Sequence, residues 1–430
     1  MPRYFIAIIF FLPFCVTAQL NNAFVKTDGL KFIIDQKPYH YIGTNYWYGG
    51  LLASQQDPQR GKERLRKELD FLKENGITNL RILAGAEGTG IINGVNRVVP
   101  PLQKKQGEYN KDVLKGLDFL LVEMGKRDMK AVLYLSNNWE WSGGFLQYLN
   151  WNGLISDAVL KEKPSWDELR DQVSRFYSCD PCKAAYKKQV EYILKHTNSY
   201  SGIAYINDPT IMSWEIANEP RPMRPSAIPY YKAWLSATAS LVKSLDRNHL
   251  LTLGTEGIIG TENDSSLYTA IHSDKNVDYL TIHIWPKNWA WYKDTSMAGG
   301  MQEVIQKTDE YINKHERIAI GLQKPLVIEE FGMPRDGQSY SLNSTTASRD
   351  YYYKFILNCF YKSMFNKGPI AGINFWAFAG TARPKPGQVF WKEGDDYMGD
   401  PPQEEQGLNA VFDTDQSTWE LIRKYLLKIK

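Results

Sequence analysis

Two places in the sequence put carboxylates where a strand-like run ends. In "IMSWEIANEPRPMRP", residues 211–225, apolar residues give way to Asn218-Glu219 and are stopped at once by Pro220. In "KPLVIEEFG" a second run closes on Glu329 and Glu330. A neutral carboxylic acid opposite an ionised carboxylate can protonate the leaving oxygen of a glycosidic bond while its partner attacks the anomeric carbon or activates water. Carboxyl groups ~5–5.5 Å apart retain the anomeric configuration, whereas ~6.5–9.5 Å admits a water and inverts it. Taken alone, Asn-Glu-Pro is equally a helix cap with a proline stop. Arg81 and His283, at the ends of two further apolar runs, tilt the balance toward chemistry: both can donate hydrogen bonds that keep a nucleophilic carboxylate ionised. Asn218 is suited to hold a sugar 2-hydroxyl. Adjacent strand residues point to opposite faces, so alternation does not decide between Glu329 and Glu330.

Carboxylates from distant segments need a scaffold that brings strand ends together. Eight short apolar runs recur, at 39–45, 77–83, 129–136, 210–217, 249–255, 277–284, 325–330 and 370–377, with helical periodicity between them. In "GKERLRKELDFLKENG" Leu65, Leu69 and Leu72 share one face and Gly76 is placed to end the helix. Eight strand–helix units without a Gly-rich phosphate loop predict an α/β fold, a (β/α)8 TIM barrel, rather than a doubly wound sheet. Long segments after the third, fourth, sixth and eighth strands would then lie on the C-terminal face, where barrel enzymes keep their sites. No linker, internal repeat or appended module interrupts the pattern, so residues 19–430 read as one catalytic domain with extended loops.

Composition excludes other classes. With 43% hydrophobic and 23% charged residues the chain has material for a large core, and a net charge of +3 without a basic block argues against a nucleic-acid partner. The first 18 residues read as a signal peptide: an arginine, an apolar run from Tyr4 to Phe14, and Val16-Thr17-Ala18 before Gln19. The run is too short to span a membrane and no later one approaches ~20 residues, so a secreted or periplasmic protein without a transmembrane segment is expected. Phe14 argues against lipoprotein anchoring at Cys15. In an exported chain Cys179 and Cys182 are expected to form a disulfide bracing a loop, and Cys359 to be a buried free thiol. Trp139, Trp141, Trp151, Trp289 and Trp291 fall in mouth loops and suit stacking against sugar rings, whereas Trp214 reads as core. Asn263 and Asn343 begin glycosylation sequons.

"WEIANEPRP" and "KPLVIEEFG" resemble glycoside hydrolase family 5 of clan A. "GTNYWYGG", "SNNWEWSGGFLQYLNW", "TIHIWPKNWAW" and "GDPPQEEQGLNAVFDTDQSTW" extend the resemblance to the endo-β-1,4-mannanase branch, subfamily 7, over essentially the whole mature chain. The resemblance implies that Glu219 is the acid/base and Glu330, rather than Glu329, the nucleophile of a retaining double displacement. It also implies that Arg81, Asn218, His283 and Trp376 are site residues and that Arg221 meets sugar on the leaving-group side. Trp139 and Trp285 complete the expected substrate-binding set. Trp285 stands where the wider family often has a tyrosine, and Asn137-Asn138 stands where related cellulases have a histidine; the second departure favours mannan over cellulose. The implied partner is a β-mannan polysaccharide, cut internally by a monomer needing no cofactor or metal. A β-1,4-glucanase, an exo-acting β-mannosidase and a catalytically inactive carbohydrate-binding barrel remain as alternatives.

Overall fold

The computed structural model describes residues 23–291 and 297–429. The expected signal peptide and Cys15 lie outside the described residues. Eight strands form one sheet: β1 (Tyr41–Asn45), β2 (Asn79–Leu83), β3 (Lys130–Tyr134), β4 (Ile211–Glu215), β5 (Leu250–Thr252), β6 (Leu280–Ile284), β7 (Leu326–Phe331) and β8 (Ile370–Phe375). Their order is β5-β4-β3-β2-β1-β8-β7-β6, parallel throughout. Between β5 and β6 the circle is closed by the Asp278 N–H donating to the Leu251 carbonyl at 2.8 Å and the His283 N–H to that of Glu256 at 3.0 Å. The expected (β/α)8 barrel is the observed fold.

Every residue of the eight strands is buried. That is why the runs read as continuously apolar rather than alternating: one face meets the barrel interior and the other the helices. The principal helices, one after each strand in order, are α1 (Pro58–Glu74), α2 (Lys111–Gly125), α3 (Asp180–Leu194), α4 (Ile228–Leu245), α5 (Ser265–His272), α6 (Met297–Leu322), α7 (Ala347–Phe365) and α8 (Gln416–Ile429). In α1 the Asp57 carboxylate caps the first turn, Pro58 opens it, and Leu65, Leu69 and Leu72 are buried as their spacing predicts. Gly76, with φ +79°, follows the last turn, and a side chain there would come within 2.9 Å of Leu426 on α8.

A three-stranded antiparallel sheet, Lys26–Asp28, Lys31–Ile34 and Lys37–Tyr39, precedes β1. Its Phe32 packs with Tyr41, Val132, Met212, Leu250, Tyr279, Val327 and Ala371, drawn from six barrel strands and the residue before β6. The N-terminal end of the barrel is thereby stoppered with apolar side chains, and polar chemistry is left to the opposite end. There the long segments after β3 and β8 are present as expected. The segment after β2 is also long and carries two small hairpins, Ile91–Ile92 with Val95–Asn96 and Gln103–Lys105 with Glu108–Tyr109. Polar residues and glycines hid those short pairings from periodicity.

Cys179 and Cys182 are disulfide-bonded, but they staple the first turn of α3 rather than a free loop: Cys179 is its N-cap and Pro181 lies in its first turn. Cys359 is free and only half-buried, short of the full burial expected from its apolar neighbours. Its outer side faces solvent, while burial of the rest pushes the thiol up to about 12. Trp214 is buried, its indole N–H donating to Asp246 at 2.7 Å. Asn263 and Asn343 are exposed.

His315 on α6 donates from Nδ1 to the Tyr311 carbonyl at 2.7 Å and accepts the Ile258 N–H at Nε2 at 3.0 Å. A second ring proton would face a donor, and burial holds the imidazole down at about 3. A folded value below the unfolded one contributes stability that is complete above the unfolded pKa of 6.5 and is lost as pH falls toward the folded value. His315→Gln removes that titration. The stability advantage of wild type over the variant, read from denaturant midpoints, should shrink by about 1 kcal/mol between roughly pH 6 and pH 5; a constant advantage contradicts the assignment.

Candidate active site

After β4 the chain runs on through Ile216 and Ala217, still held between its neighbours. The Asn218 N–H donates to the Ser136 carbonyl and the Glu219 N–H to that of Gly254, both at 2.9 Å. Glu219 itself adopts φ +50°, a left-handed conformation that costs a non-glycine residue about 1 kcal/mol and is characteristic of functional positions. That twist turns its carboxyl over the barrel mouth. The Pro220 carbonyl accepts the Tyr231 hydroxyl at 3.0 Å, which ties the exit from the strand to α4.

β7 delivers two carboxyls where alternation allows one. Ile282 pairs with Ile328, but the next β6 residue, His283, pairs with Glu330, so Glu329 is the extra residue of a bulge. Both glutamates therefore face inward. Glu330 reaches the cleft, whereas Glu329 sits beneath it, 3.6 Å from His283 Nε2 and 3.7 Å from Arg81 Nε. The ambiguity in the sequence was real, and its source is this register shift.

Carboxylate oxygens of Glu219 and Glu330 lie within 4.8 Å of each other and of a His283 ring nitrogen. Glu330 accepts from Arg81 and, at 3.0 Å, from the Trp285 indole N–H. Arg81 is fully buried: it forks onto Glu215 at 2.6 and 2.8 Å and also donates to Asn218 at 2.7 Å and Asn45 at 3.0 Å. Burial pushes the Glu330 carboxyl well above the usual range; the charge of Glu219 adds to this, and Arg81 and Trp285 oppose it.

His283 is the one residue whose partner differs from expectation. Its Nδ1 is 2.6 Å from Glu219 Oε1 and 3.4 Å from Glu330 Oε2, so it serves the first glutamate more than the second. Burial lowers the imidazole to about 4, leaving it neutral near pH 7. The indole of Trp139 donates to the other Glu219 oxygen. Trp285, in place of the family's tyrosine, supplies the donor that a hydroxyl would have given to Glu330. Replacing Trp285 by Phe keeps an aromatic ring against Trp376, though a smaller one, and deletes that donor. A hydrogen bond to a charged group contributes about 1.5–3 kcal/mol, so kcat/KM should fall ~10- to 100-fold with little change in thermal midpoint; an unchanged kcat/KM would exclude the contact from the chemistry.

These groups line a cleft of about 570 Å³ with Trp139, Trp141, Trp166, Trp289, Trp376 and Arg221 among its walls. Trp376 packs edge-on against Trp285, their centroids 5.7 Å apart. Arg221 lies over Trp139 at 4.9 Å and is held by Glu256 at 2.5 and 2.6 Å. Trp151 packs against Tyr148 and Trp291 against Trp289, both outside this wall. Asn137 donates nothing to the cleft itself but accepts from Asn218 at 3.1 Å.

Sequence reasoning missed Glu256, Glu215, Trp166, Asn288, Gln403 and Glu404. Glu256 follows the fifth apolar run and could have been found by its strand-end position; burial raises its carboxyl to about 7. Glu215 falls inside a strand and reads as an anomaly rather than a site. Gln403 and Glu404 come from the loop after β8, which no periodicity places.

A family profile described as "GH family 5 beta-mannosidase-like" matches residues 22–430. Mannan endo-1,4-beta-mannosidase 1 of Oryza sativa is 31% identical over 370 residues, covering 83% of this chain and 78% of that protein. Mannan endo-1,4-beta-mannosidase 1 of Arabidopsis thaliana is 30% identical over 388 residues, covering 86% of each. Among solved structures, the glycoside hydrolase family 5 mannosidase of Rhizomucor miehei superposes with a TM-score of 0.84 at 31% identity, over 95% of this chain and 98% of that one. With a barrel-mouth carboxyl pair and a family match spanning every described residue, the chain belongs to glycoside hydrolase family 5, in its beta-mannosidase-like group.

Proposed function

We propose that the protein is an endo-β-1,4-mannanase that hydrolyses internal β-1,4-mannosidic bonds of mannan, glucomannan or galactomannan by a retaining double displacement. The observation that carries the reaction type is the separation of the two carboxyls. Oxygens within 4.8 Å leave no room for an attacking water between them and fit a nucleophile working beside an acid. Glu330 attacks the anomeric carbon while Glu219 protonates the departing oxygen; Glu219 then takes a proton from water, whose oxygen displaces Glu330. Arg81 and Trp285 stabilise the charge on Glu330 before attack and after release. Asn218 has its oxygen occupied by Arg81 and one N–H by Asn137, which leaves its second N–H for the sugar 2-hydroxyl.

Mannan as substrate is supported by the curated plant relatives, described as mannan endo-1,4-beta-mannosidases at about 30% identity over more than four fifths of this chain. The Rhizomucor mannosidase has been seen with mannosyl-fructose, another mannose-containing ligand. Trp139, Trp166 and Arg221 stand on the Glu219 side, where the leaving portion of a polymer must lie. Half of the Trp166 surface is exposed, as suits a sugar-stacking platform rather than a core residue. No helix among the described residues is long and apolar enough to cross a membrane. The polymer substrate accords with export after loss of residues 1–18.

A second reading, exo-acting β-mannosidase, draws on the Rhizomucor likeness and on Gln403 and Glu404, which bring the loop after β8 into the cleft wall. Product lengths separate the two. Early digests of linear mannan should contain mixed mannooligosaccharides, with little release from carboxymethylcellulose. Mannose alone would establish the exo reading, cellulose as the better substrate would establish a glucanase, and binding without cleavage of any of them would leave a carbohydrate-binding barrel.

A further inference from the structure

Glu329 is a buried carboxyl with no task in the scheme above. Neither of its oxygens has a hydrogen-bond partner, and His283 Nε2 is likewise unpartnered. These two groups face each other at 3.6 Å, and the opposite ring nitrogen, Nδ1, lies 2.6 Å from Glu219 Oε1. A carboxyl, an imidazole and a second carboxyl therefore stand in line, and the separation on the Glu329 side is of the kind that tightens as substrate closes a site.

We propose that Glu329 is a positioning residue that, through His283, keeps the catalytic proton on Glu219. A neutral imidazole carries one ring proton. If that proton is on Nε2 it points at Glu329, and Nδ1 presents a lone pair. A lone pair meets a carboxyl oxygen at 2.6 Å only when that oxygen bears the proton, which is the acid form of Glu219. The other tautomer, with the proton on Nδ1, pairs with an ionised Glu219 and needs a protonated Glu329 to satisfy Nε2. An ionised Glu329 thus selects the acid form. Once Glu219 has given its proton to the leaving oxygen, its charge faces the Nδ1 lone pair. That repulsion raises its affinity for the proton of the incoming water: the water O–H bond breaks, its oxygen bonds the anomeric carbon, and Glu330 departs as a carboxylate.

The charged and titratable groups around this line are Arg81 on β2, Glu215 on β4, Glu219 beyond it, Glu256 beyond β5 and Glu330 on β7, with the hydroxyls of Tyr41, Tyr268 and Tyr279 nearby. Burial and Glu215 raise the Glu329 carboxyl, while Arg81 and His283 pull it down. The net direction is upward, and Arg81 and the His283 contact on which the proposal rests are what favour its charged form.

The inference rests on the retaining-hydrolase reading. It is tested with Glu329→Gln on two aryl β-mannobiosides that differ only in leaving group. An amide accepts from Nε2–H or donates to a bare Nε2, so it preserves shape and removes the tautomer bias. On 4-methylumbelliferyl mannobioside, which needs the proton, kcat/KM should fall roughly 10- to 100-fold, part of the ~10²–10⁴ that a general acid supplies. The alkaline limb of its pH profile should move to lower pH. On the 2,4-dinitrophenyl substrate, which leaves unprotonated, the wild-type and variant rates of the glycosylation step should agree within about threefold. Equal losses on both substrates, or no loss on either, overturn the proposal. A second measurement needs neither variant folding nor turnover: ¹⁵N NMR of the wild-type His283 ring should show the proton on Nε2, and a neutral ring protonated at Nδ1 overturns the inference. Wild type silent on both mannobiosides would sink the hydrolase reading, and the ring-nitrogen result would still decide the tautomer.

Discussion

Glu330→Gln is expected to lower kcat/KM on mannan by at least ~10⁴-fold, in the range that loss of a covalent nucleophile costs other enzymes. An amide oxygen is a poor nucleophile, and the substitution also turns the Arg81 and Trp285 donors toward a neutral group. The loss should be independent of leaving group, because no bond to the anomeric carbon forms with either substrate. Folding should survive: the amide keeps the shape, and Arg81 retains Glu215 and Asn218. Steady-state rates on mannan and on an activated aryl mannobioside, with far-UV circular dichroism as a fold control, check this. Comparable losses on both substrates support the assignment, and a loss of less than tenfold on both would remove Glu330 from the role of nucleophile.

Glu219→Gln has the second largest expected effect, and a different signature. Mannan and other poor leaving groups should lose ~10²–10⁴-fold, the contribution of a general acid. An aryl mannobioside with a good leaving group should form the glycosyl-enzyme at nearly the wild-type rate and then accumulate it, because no base activates water. A burst of phenol followed by a slow steady state is the expected trace, and added azide, an anion that needs no base, should accelerate turnover. A uniform loss without a burst would indicate that Glu219 supports the site rather than moving the proton. His283 and Trp139, which hold its two oxygens, would then need another purpose.

The architecture was legible because the barrel writes itself as repetition: eight fully buried parallel strands appear as eight apolar runs, and α1 shows its cap, its leucine face and its terminal glycine in order. The two carboxyls were legible for the same reason, since Glu330 stands at the end of its strand and Glu219 just past the end of its own. What could not be read is where strand periodicity breaks. The bulge at Glu329 turns two consecutive residues inward, so only a resemblance chose between them, and no pattern in "VIEEFG" announces a shifted register. His283 was assigned to the wrong glutamate because its ring nitrogens reach both, and a difference between 2.6 and 3.4 Å is set by ring orientation. Glu404 and Gln403 come from an irregular loop whose path depends on tertiary packing. Arg221 was read as a sugar contact, and the structure adds Glu256, which fixes its guanidinium over Trp139.

Arg81 shows how the fold and the site depend on each other. One guanidinium stands among Glu215, Glu329 and Glu330, all buried. Removing the guanidinium would leave three buried carboxyls without a counter-charge and is strongly destabilising, whereas the intact cluster fixes where each carboxyl points.

The central claim is that a β-mannosidic bond is broken with retention. The most direct measurement is ¹H NMR of the anomeric protons during the first minutes of mannopentaose hydrolysis, before mutarotation. The β-anomer of the new reducing end is expected first, with the α-anomer growing in afterwards. Initial appearance of the α-anomer would mean that water, not Glu330, attacks the sugar, and would contradict the account.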